Sequence, residues 1–391
     1  MKKILCFLLA SIIMFSLAAC GGGGTESTPT PEATPAAEEP AATETASSET
    51  EAVTEEGFEL ALITDIGTID DKSFNQGSWE GVKQYAEEFN ITHKYYKPAE
   101  KSTDSYLSAI ELAVKGGAKV IVTPGYLFEE AVFLAQDSYP DTNFILLDGS
   151  PHSADYSEYH TAENTVGVTY AEDEAGFLAG YAAVKDGMTK LGFMGGMAVP
   201  AVVRYGYGFI QGADYAAKEM GLGDAAITMN YHYTGGFDAT PEAQTLAASW
   251  YQSGLEVIFG CGGAVGNSVM AAAEQANAKV IGVDVDQSGE SETVITSSMK
   301  GLRESVYFLL EQYYAGAFPG GQDIVLNAAN DGVGLPMSTS KFDTFTQDDY
   351  DAIYAELVAA SIPLVKDTDE SGNPVAVADI PASSVSTTVV K

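Results

Sequence analysis

Basic residues are scarce in this chain. Only 19 Lys and Arg oppose 55 Asp and Glu among 391 residues, which gives a formal net charge of −36 at pH 7. A surface of this charge repels the phosphates of nucleic acid and of anionic lipid. The composition therefore argues against nucleic acid as a partner and against docking on a membrane through a basic face.

Cysteine is almost absent as well, with three in the whole chain. Cys6 lies in the apolar N-terminal segment and Cys20 follows that segment, so Cys261 has no obvious cysteine with which to pair. The fold must therefore be stabilised by its apolar core rather than by disulfides. Residues 57–391 are numerous enough for two domains with sizeable cores.

Several catalytic motifs are missing. The sequence has no GxxxxGK[ST] loop for ATP hydrolysis and no GxSxG motif, and its four histidines lack the spacing of metal ligands. The glycines of FGCGGAVG are out of register with a dinucleotide-binding fingerprint. We therefore expect no cofactor, no metal and no enzymatic activity. A nucleosidase that uses paired carboxylates is the alternative that composition leaves open.

The first 20 residues, MKKILCFLLASIIMFSLAAC, have the pattern of a secretory signal and are too short for a comfortable transmembrane helix. The small residues before Cys20 resemble a bacterial lipobox. That resemblance implies cleavage before Cys20, a lipid on its sulfur and a protein held at the extracytoplasmic face of the cell membrane. Residues 21–56 carry nine Glu and no Lys or Arg, so we expect an extended, disordered acidic linker.

From residue 57 onward, apolar strand candidates alternate with amphipathic helix candidates, which indicates an α/β fold with parallel sheets. The pattern occurs twice, because residues 118–136 align with 255–274 and residues 73–89 align with 204–220. We therefore predict two similar lobes with a hinge and a central cleft. The predicted strands lie near 58–64, 93–97, 120–124 and 144–148 in the first lobe and near 190–195, 226–231, 256–260 and 280–284 in the second.

The predicted N-terminal lobe comprises residues 57–165 and 290–321, and the C-terminal lobe comprises residues 166–289 and 322–391. A strand and a helix within 293–316 are expected to cross back to the first lobe and to form part of the hinge. A strand near 324–328 and a helix over 347–360 are expected in the second lobe. Two facing lobes place their strand ends on one cleft, a geometry that suits closure on a small ligand.

Open α/β sheets bind ligands where strands end and the following helices begin. In TDIGTIDDKSFNQGSWEG, a carboxylate, an aromatic ring and an amide fall at such a place, although a capping role for Asp70, Asp71 or Ser73 is the simpler interpretation of those three. The candidate ligand-binding residues of the whole chain are Asp65, Phe74, Asn75, Tyr126, Tyr205, Phe237, Gly263, Asp284 and Lys300.

Aromatic rings from both lobes suit a flat ligand ring, and carboxylates beside a lysine suit vicinal hydroxyls. The expected ligand is therefore a ring joined to a sugar. Asp148, which corresponds to Asp284 in the duplication, is left out of the candidate site because a structural role accounts for it.

Five segments closely resemble, in order, the basic membrane protein family of bacterial lipoproteins, also called the purine nucleoside receptor A type. They are TDIGTIDDKSFNQGSWEG, LGFMGGM, LAASWYQSGLEVIFGCGGAVG, VIGVDVDQ and TSSMK. Members are substrate-binding components of ABC transporters, have the type I periplasmic-binding-protein fold and capture nucleosides. The resemblance runs from about residue 58 to residue 300.

The resemblance implies two groups of ligand contacts. Those to the base would come from the stacking rings Phe74 and Phe237 and the polar side chains Asp65 and Asn75. Those to the ribose would come from Gly263, Asp284 and Lys300. Tyr205 stands where relatives often have Phe, a departure that keeps the ring and adds a hydroxyl.

The resemblance further implies a purine nucleoside as ligand and an ABC transporter permease with a separate ATPase as partners. We expect a monomer that is anchored to the membrane by its lipid. A sugar or autoinducer receptor of the same fold is the alternative. An adhesion or immune-facing surface lipoprotein, whose cleft would hold no tight ligand, is a more distant one.

Overall fold

The computed structural model describes residues 57–391, which belong to one compact unit. The predicted signal segment, the lipid attachment at Cys20 and the acidic linker lie outside the described residues. From residue 57 to residue 391, no helix is both long enough and apolar enough to cross a membrane.

The strands of the described residues are short. They are β1 (Leu60–Ile63), β2 (His93–Tyr96), β3 (Val120–Pro124), β4 (Asn143–Leu147), β5 (Thr165–Tyr170), β6 (Lys190–Gly195), β7 (Ile227–Tyr233), β8 (Val257–Cys261), β9 (Lys279–Asp284), β10 (Val294–Lys300), β11 (Gln322–Leu326), β12 (Val333–Gly334) and β13 (Val385–Val389). All eight strands predicted from the apolar pattern are confirmed.

The helices alternate with these strands. They are α1 (Phe74–Phe89), α2 (Thr103–Lys115), α3 (Glu129–Ser138), α4 (Glu172–Lys185), α5 (Pro200–Glu219), α6 (Pro241–Gln252), α7 (Val265–Ala276), α8 (Leu302–Tyr314) and α9 (Gln347–Val358). Side-chain caps fix several starts, as where Ser102 accepts from the backbone of α2 and Thr240 from that of α6.

Two sheets form the centres of two lobes. The first has the order β11-β5-β4-β3-β1-β2, and the second has the order β12-β10-β9-β8-β6-β7-β13. Every pairing is parallel except that of β12 with β10. Across the first sheet the order is β2-β1-β3-β4-β5, and across the second it is β7-β6-β8-β9-β10, so the two sheets share one strand order. The predicted α/β architecture with duplicated lobes is therefore present.

The structure corrects the predicted boundaries of the lobes. The strand β5 was not predicted and belongs to the first sheet, while β10 pairs with β9 in the second sheet and β11 pairs with β5 in the first. The predictions had assigned β10 to the first lobe and β11 to the second. An apolar run shows that a strand forms but not which neighbour it pairs with, so the sequence pattern did not separate the two sheets.

Over residues 57–391 the chain therefore crosses between lobes three times: between β5 and α4, between β10 and α8, and between β11 and β12. The crossing after β5 leads into Glu172 and the crossing after β10 begins at Lys300, and the two side chains lie 3.0 Å apart.

Close helix packing connects each crossing helix to its lobe. In the second lobe, a Cβ on Gly208 or Gly212 of α5 would overlap the backbone of α4 at Asp173 or Phe177. In the first lobe, a Cβ on Gly81 of α1 would lie 2.7 Å from the Arg303 carbonyl oxygen of α8. Glycine at these positions lets two helix backbones touch, which fixes the N-terminal half of α4 against the middle of α5.

Candidate functional site

A cavity of about 280 Å³ lies where the strand ends of the two sheets face each other. Its lining includes all nine candidate residues from the sequence, so the structure brings Asp65, Phe74, Asn75, Tyr126, Tyr205, Phe237, Gly263, Asp284 and Lys300 together. Six aspartates and two lysines are among the lining residues, which makes the cavity acidic.

Asp65 follows β1 and is almost completely buried. Its Oδ1 accepts hydrogen bonds from the backbone N–H of Gly67 at 2.7 Å and from Nδ2 of Asn75 at 3.0 Å. Burial raises the pKa of Asp65, and these hydrogen bonds oppose the rise only in part. A carboxylate in this position is a strong acceptor for a donor on a ligand.

Asn75 has both N–H groups of its side chain engaged. Its Nδ2 donates to Asp65 and, at 2.9 Å, to Oδ2 of Asp71. Asp71 in turn accepts from the backbone N–H groups of Ser73, Asn75 and Gln76 at 2.9 to 3.1 Å, and so caps α1. Asn75 therefore orients Asp65, and its expected contact with the base stays a prediction.

Tyr126 begins a short 3₁₀ helix directly after Gly125, whose φ of 114° is readily available only to glycine. This turn brings the half-buried Tyr126 ring to the cavity close to Asp65. Burial, with Asp65 nearby, raises the pKa of its hydroxyl, which therefore stays protonated and can donate.

The Phe237 ring sits on glycines from two strand ends. A Cβ on Gly196 would overlap the ring, and one on Gly262 would lie 3.1 Å from its Cδ1 atom. The Phe237 carbonyl oxygen accepts from the backbone N–H of Ala264 at 2.8 Å. Gly263 adopts a φ of 52°, and a Cβ there would approach the same carbonyl oxygen at 3.0 Å. These glycines leave space for an aromatic ring at the cavity wall.

Asp284 ends β9 and connects the two lobes. Its Oδ2 accepts from the Ser73 hydroxyl of the first lobe at 2.5 Å, and its Oδ1 lies 3.4 Å from the Tyr205 hydroxyl. Ser73 thus does not cap α1 with its side chain. Burial raises the pKa of Asp284, an effect that Lys300 and Ser73 reduce.

Lys300 ends β10 and has its ammonium group buried. Its Nζ donates to Oδ2 of Asp148 at 2.5 Å and lies 4.9 Å from the ring centre of Phe74 and 5.4 Å from that of Tyr205. The carboxylates beside it raise its pKa against the effect of burial, so it stays charged. The ring contacts are cation–π interactions, which stabilise the buried charge further.

Sequence reasoning missed some residues of this site. Asp148 lines the cavity and pairs with Lys300, although it had been left out as structural. Glu172 does not line the cavity but lies behind Lys300. The acidic run EDE forms the first turn of the apolar helix α4. It could have indicated Glu172, because buried carboxylates at the start of a helix need cationic partners.

A family of PnrA-like ABC transporter substrate-binding proteins, Bmp, matches residues 58–366. The ABC transporter nucleoside-binding protein BmpA of Lactococcus lactis subsp. cremoris is 30% identical over 306 residues, which cover 72% of this chain and 82% of the relative. Basic membrane protein A of Borreliella afzelii is 32% identical over 268 residues, covering 67% and 78% respectively.

Solved structures show the same fold at low identity. A solute-binding protein of an ABC transporter system from Aeropyrum pernix K1 superimposes with a TM-score of 0.69 at 22% identity, covering 80% of this chain and 95% of that one. A sugar-binding protein of a sugar ABC transporter from Bacillus halodurans gives 0.52 at 16% identity, covering 75% and 99%. Both likenesses support the type I periplasmic-binding-protein fold.

Proposed function

The chain belongs to the Bmp family of PnrA-like ABC transporter substrate-binding proteins, and from this premise we propose that its ligand is a purine nucleoside. As a substrate-binding protein it captures a ligand for a transporter and is not an enzyme. Substrate-binding proteins of ABC importers work outside the cytoplasm.

One observation carries the proposal: each lobe contributes an aromatic ring to a single cavity. Phe74 begins the first helix of the first lobe, and Phe237 lies in a loop of the second. Both rings are half-buried, so each has a surface left to cover. Stacking of a base on an aromatic ring contributes about 1–3 kcal/mol, and a planar heterocycle is the ligand that fits this pair.

The charges of the cavity favour a nucleoside over a nucleotide. Six aspartates against two lysines would repel a phosphate, and one of these lysines, Lys300, is already paired with Asp148. Hydroxyl and amine groups, by contrast, can donate hydrogen bonds to carboxylates. We propose that Asp65, oriented by Asn75, accepts from an N–H group of the base.

The pentose would lie at the other end of the cavity. Asp284 offers carboxylate oxygens to vicinal hydroxyls, and Lys300 offers a donor beside it. Gly263 has a positive φ and no side chain, so its backbone can lie close to the pentose. This arrangement matches the roles that the family resemblance implies for the same three residues.

The name of the Lactococcus lactis relative, a nucleoside-binding protein, supports the same ligand class.

We further propose a monomer with a lipid on Cys20, held at the cell membrane, that delivers nucleoside to a permease with a separate ATPase. Mass spectrometry of the membrane-associated protein would test the lipid. A mature N-terminus without an acylated Cys20 would contradict it.

Titration calorimetry tests the ligand. We expect inosine, guanosine or adenosine to bind with a Kd of about 1 μM or below. Hypoxanthine should bind more weakly than inosine, and inosine monophosphate should bind more weakly than hypoxanthine. Equal affinities for ribose and inosine would reject stacking and favour a sugar receptor of the same fold.

A further inference from the structure

Glu172 is a buried carboxylate just outside the cavity. It is the first residue of α4, immediately after the crossing from β5, and its side chain has no exposed surface. Its Oε2 accepts from Nε of Arg204 at 2.6 Å, and its Oε1 lies 3.0 Å from Nζ of Lys300. The second contact is an ion pair without the alignment of a good hydrogen bond.

Burial of a carboxylate is unfavourable unless cations compensate it. Burial acts to raise the pKa of Glu172, but Arg204 and Lys300 outweigh it and hold that pKa below its ordinary value. Arg204 also contacts Asp367 at 3.4 Å. The charge of Glu172 is therefore maintained by two cations, of which only Lys300 lines the cavity.

The position of Lys300 depends on its two carboxylates. Asp148 approaches Nζ from the first lobe and Glu172 from the crossing helix. An ammonium group has three N–H donors; one donates to Asp148, Glu172 holds the group as an ion partner, and a donor is left for a ligand. A lysine side chain has many rotamers, and a donor held in one of them loses less entropy on binding.

Arg204 fixes Glu172 from behind. Its helix, α5, is packed against α4 with the two backbones in contact at Gly208 and Gly212. This packing holds the N-terminal half of α4 against the middle of α5, and Gly176 of α4 likewise abuts the backbone of Tyr205, so the Arg204–Glu172 pair is part of a rigid element. Binding sites need such supporting contacts to keep a functional side chain in its productive geometry.

We propose that Glu172 is a positioning residue for ligand recognition, which directs the remaining N–H of Lys300 at the pentose and is itself held by Arg204. The inference rests on the proposed function, because it assumes that the ligand carries a pentose. A purely structural ion pair, in contrast, would affect folding and not discrimination between ribosides and bases.

The first test compares Glu172→Asp and Glu172→Gln with the wild type in calorimetry against inosine and hypoxanthine. Glu172→Asp keeps the charge but withdraws the carboxylate from Lys300, so the ion cluster stays balanced and the fold is maintained. We expect inosine to bind about 10-fold more weakly to both variants, and hypoxanthine within about 2-fold of wild type. Equal losses for both ligands, or none, would overturn the proposal.

Asp173→Asn is the matched control. Asp173 is the adjacent residue of α4, is equally buried, and pairs with Lys366 at 3.5 Å rather than with Lys300. Both ligands should bind this variant as they bind the wild type. A selective loss of inosine affinity in Asp173→Asn would show that any buried charge change in α4 has the effect, and would overturn the role given to Glu172.

A double variant tests whether Glu172 acts through Lys300. If it does, Glu172→Asp should cause no further loss of inosine affinity in a Lys300→Met background. A further loss of about 10-fold there would mean that Glu172 acts by another route. The comparison of the Lys300→Met single variant with the double variant decides between these outcomes.

A ligand-free measurement keeps the inference separate from the proposed function. Reductive methylation with formaldehyde and cyanoborohydride, followed by mass spectrometry, reports how freely the Lys300 amine reacts. Relative to the exposed Lys83, Lys300 should react at least about 5-fold faster in Glu172→Asp than in wild type, because its amine is less tightly held. An unchanged ratio overturns the inference, while failure of wild type to bind any purine nucleoside overturns only the proposed function.

Discussion

The two lobes have the same backbone at corresponding strand ends but carry different side chains there. Asp148 after β4 and Asp284 at the end of β9 have positive φ values of 59° and 66°, and Gly125 and Gly262 have φ values of 114° and 127°. Yet Asp148 binds the ammonium group of Lys300, whereas Asp284 accepts from the hydroxyl of Ser73, each partner belonging to the opposite lobe. The two lobes therefore share the backbone conformation at these strand ends, while the corresponding side chains bind different partners.

The next residue in each lobe shows what this divergence achieves. Tyr126 follows Gly125 and brings its own ring to the cavity, whereas Gly263 follows Gly262 and leaves room for Phe237 from another loop. A cavity between two identical surfaces would suit a symmetric ligand. These differences make one side of the cavity unlike the other, which suits the proposed ligand, a base with an attached sugar.

The largest expected effect concerns helix packing, where Gly208 in the second lobe corresponds to Gly77 in the first. A methyl group on Gly208 would overlap the Asp173 carbonyl oxygen, while one on Gly77 would meet side-chain atoms of Val285 at 2.7 Å. We expect Gly208→Ala to lower the free energy of unfolding by about 3 kcal/mol and Gly77→Ala by about 1 kcal/mol, since side chains can move and a helix backbone cannot. Urea unfolding measures both, and equal losses would contradict this difference between the lobes.

The two strand-end aspartates should differ in ligand binding. Asp284→Ala should weaken inosine binding by about 1–3 kcal/mol, because it leaves buried groups without a partner, and should leave hypoxanthine nearly unaffected. Asp148→Ala should weaken inosine binding by about 1 kcal/mol, since Glu172 still holds Lys300. Calorimetry of both variants with inosine and hypoxanthine tests whether Asp284→Ala causes the larger loss of inosine affinity. A larger effect at Asp148 would transfer the main pentose contact to the first lobe.

The buried carboxylates Asp65 and Asp284 should give stability the same pH dependence. Burial raises both pKa values above the 3.8 of an exposed Asp, so the folded state binds protons more readily than the unfolded state. Their contribution to stability is therefore fully present below pH 3.8 and is lost as the pH rises through the raised values.

Asp65→Asn and Asp284→Asn should each reduce the fall in the free energy of unfolding with rising pH. The reduction should be about 1.4 kcal/mol for each unit by which the pKa of the replaced carboxyl is raised. Urea unfolding between pH 4 and pH 7 measures it. Asp70→Asn is the control, because Asp70 is exposed and its hydrogen bond to Thr68 lowers its pKa. Curves for Asp65→Asn and wild type that run parallel would mean that Asp65 is not protonated more readily in the folded protein.

The smallest expected effect is that of Tyr205→Phe, which gives α5 the same residue that aligns with it in α1, Phe74. The Tyr205 hydroxyl is 3.4 Å from Asp284 and 3.3 Å from the Ser298 carbonyl oxygen, distances that indicate weak hydrogen bonds. We expect inosine affinity to change by less than about 0.5 kcal/mol. A loss above about 1 kcal/mol would mean that the hydroxyl contacts the ligand directly.

Much of the cavity could be predicted because strand ends and helix starts are local features. Asp65, Asp284 and the aromatic Phe74 fall directly after apolar strands or at the start of an amphipathic helix, and all three line the cavity. The task of Asn75 could not be predicted, because its two N–H groups are engaged by carboxylates from different parts of one loop. Glu172 was missed because its partners are distant in the chain.

The sequence by itself determined the alternation of strands and helices, the duplication of the lobes and the family, because these depend on local apolar periodicity and on motifs in order. Tertiary structure alone decided that β10 lies in the second sheet and β11 in the first, since strand pairing is set by neighbours far apart in the chain. It also decided that Lys300 lies between Asp148 and Glu172. Buried charges must find partners across the fold, and no local pattern states which ones they find.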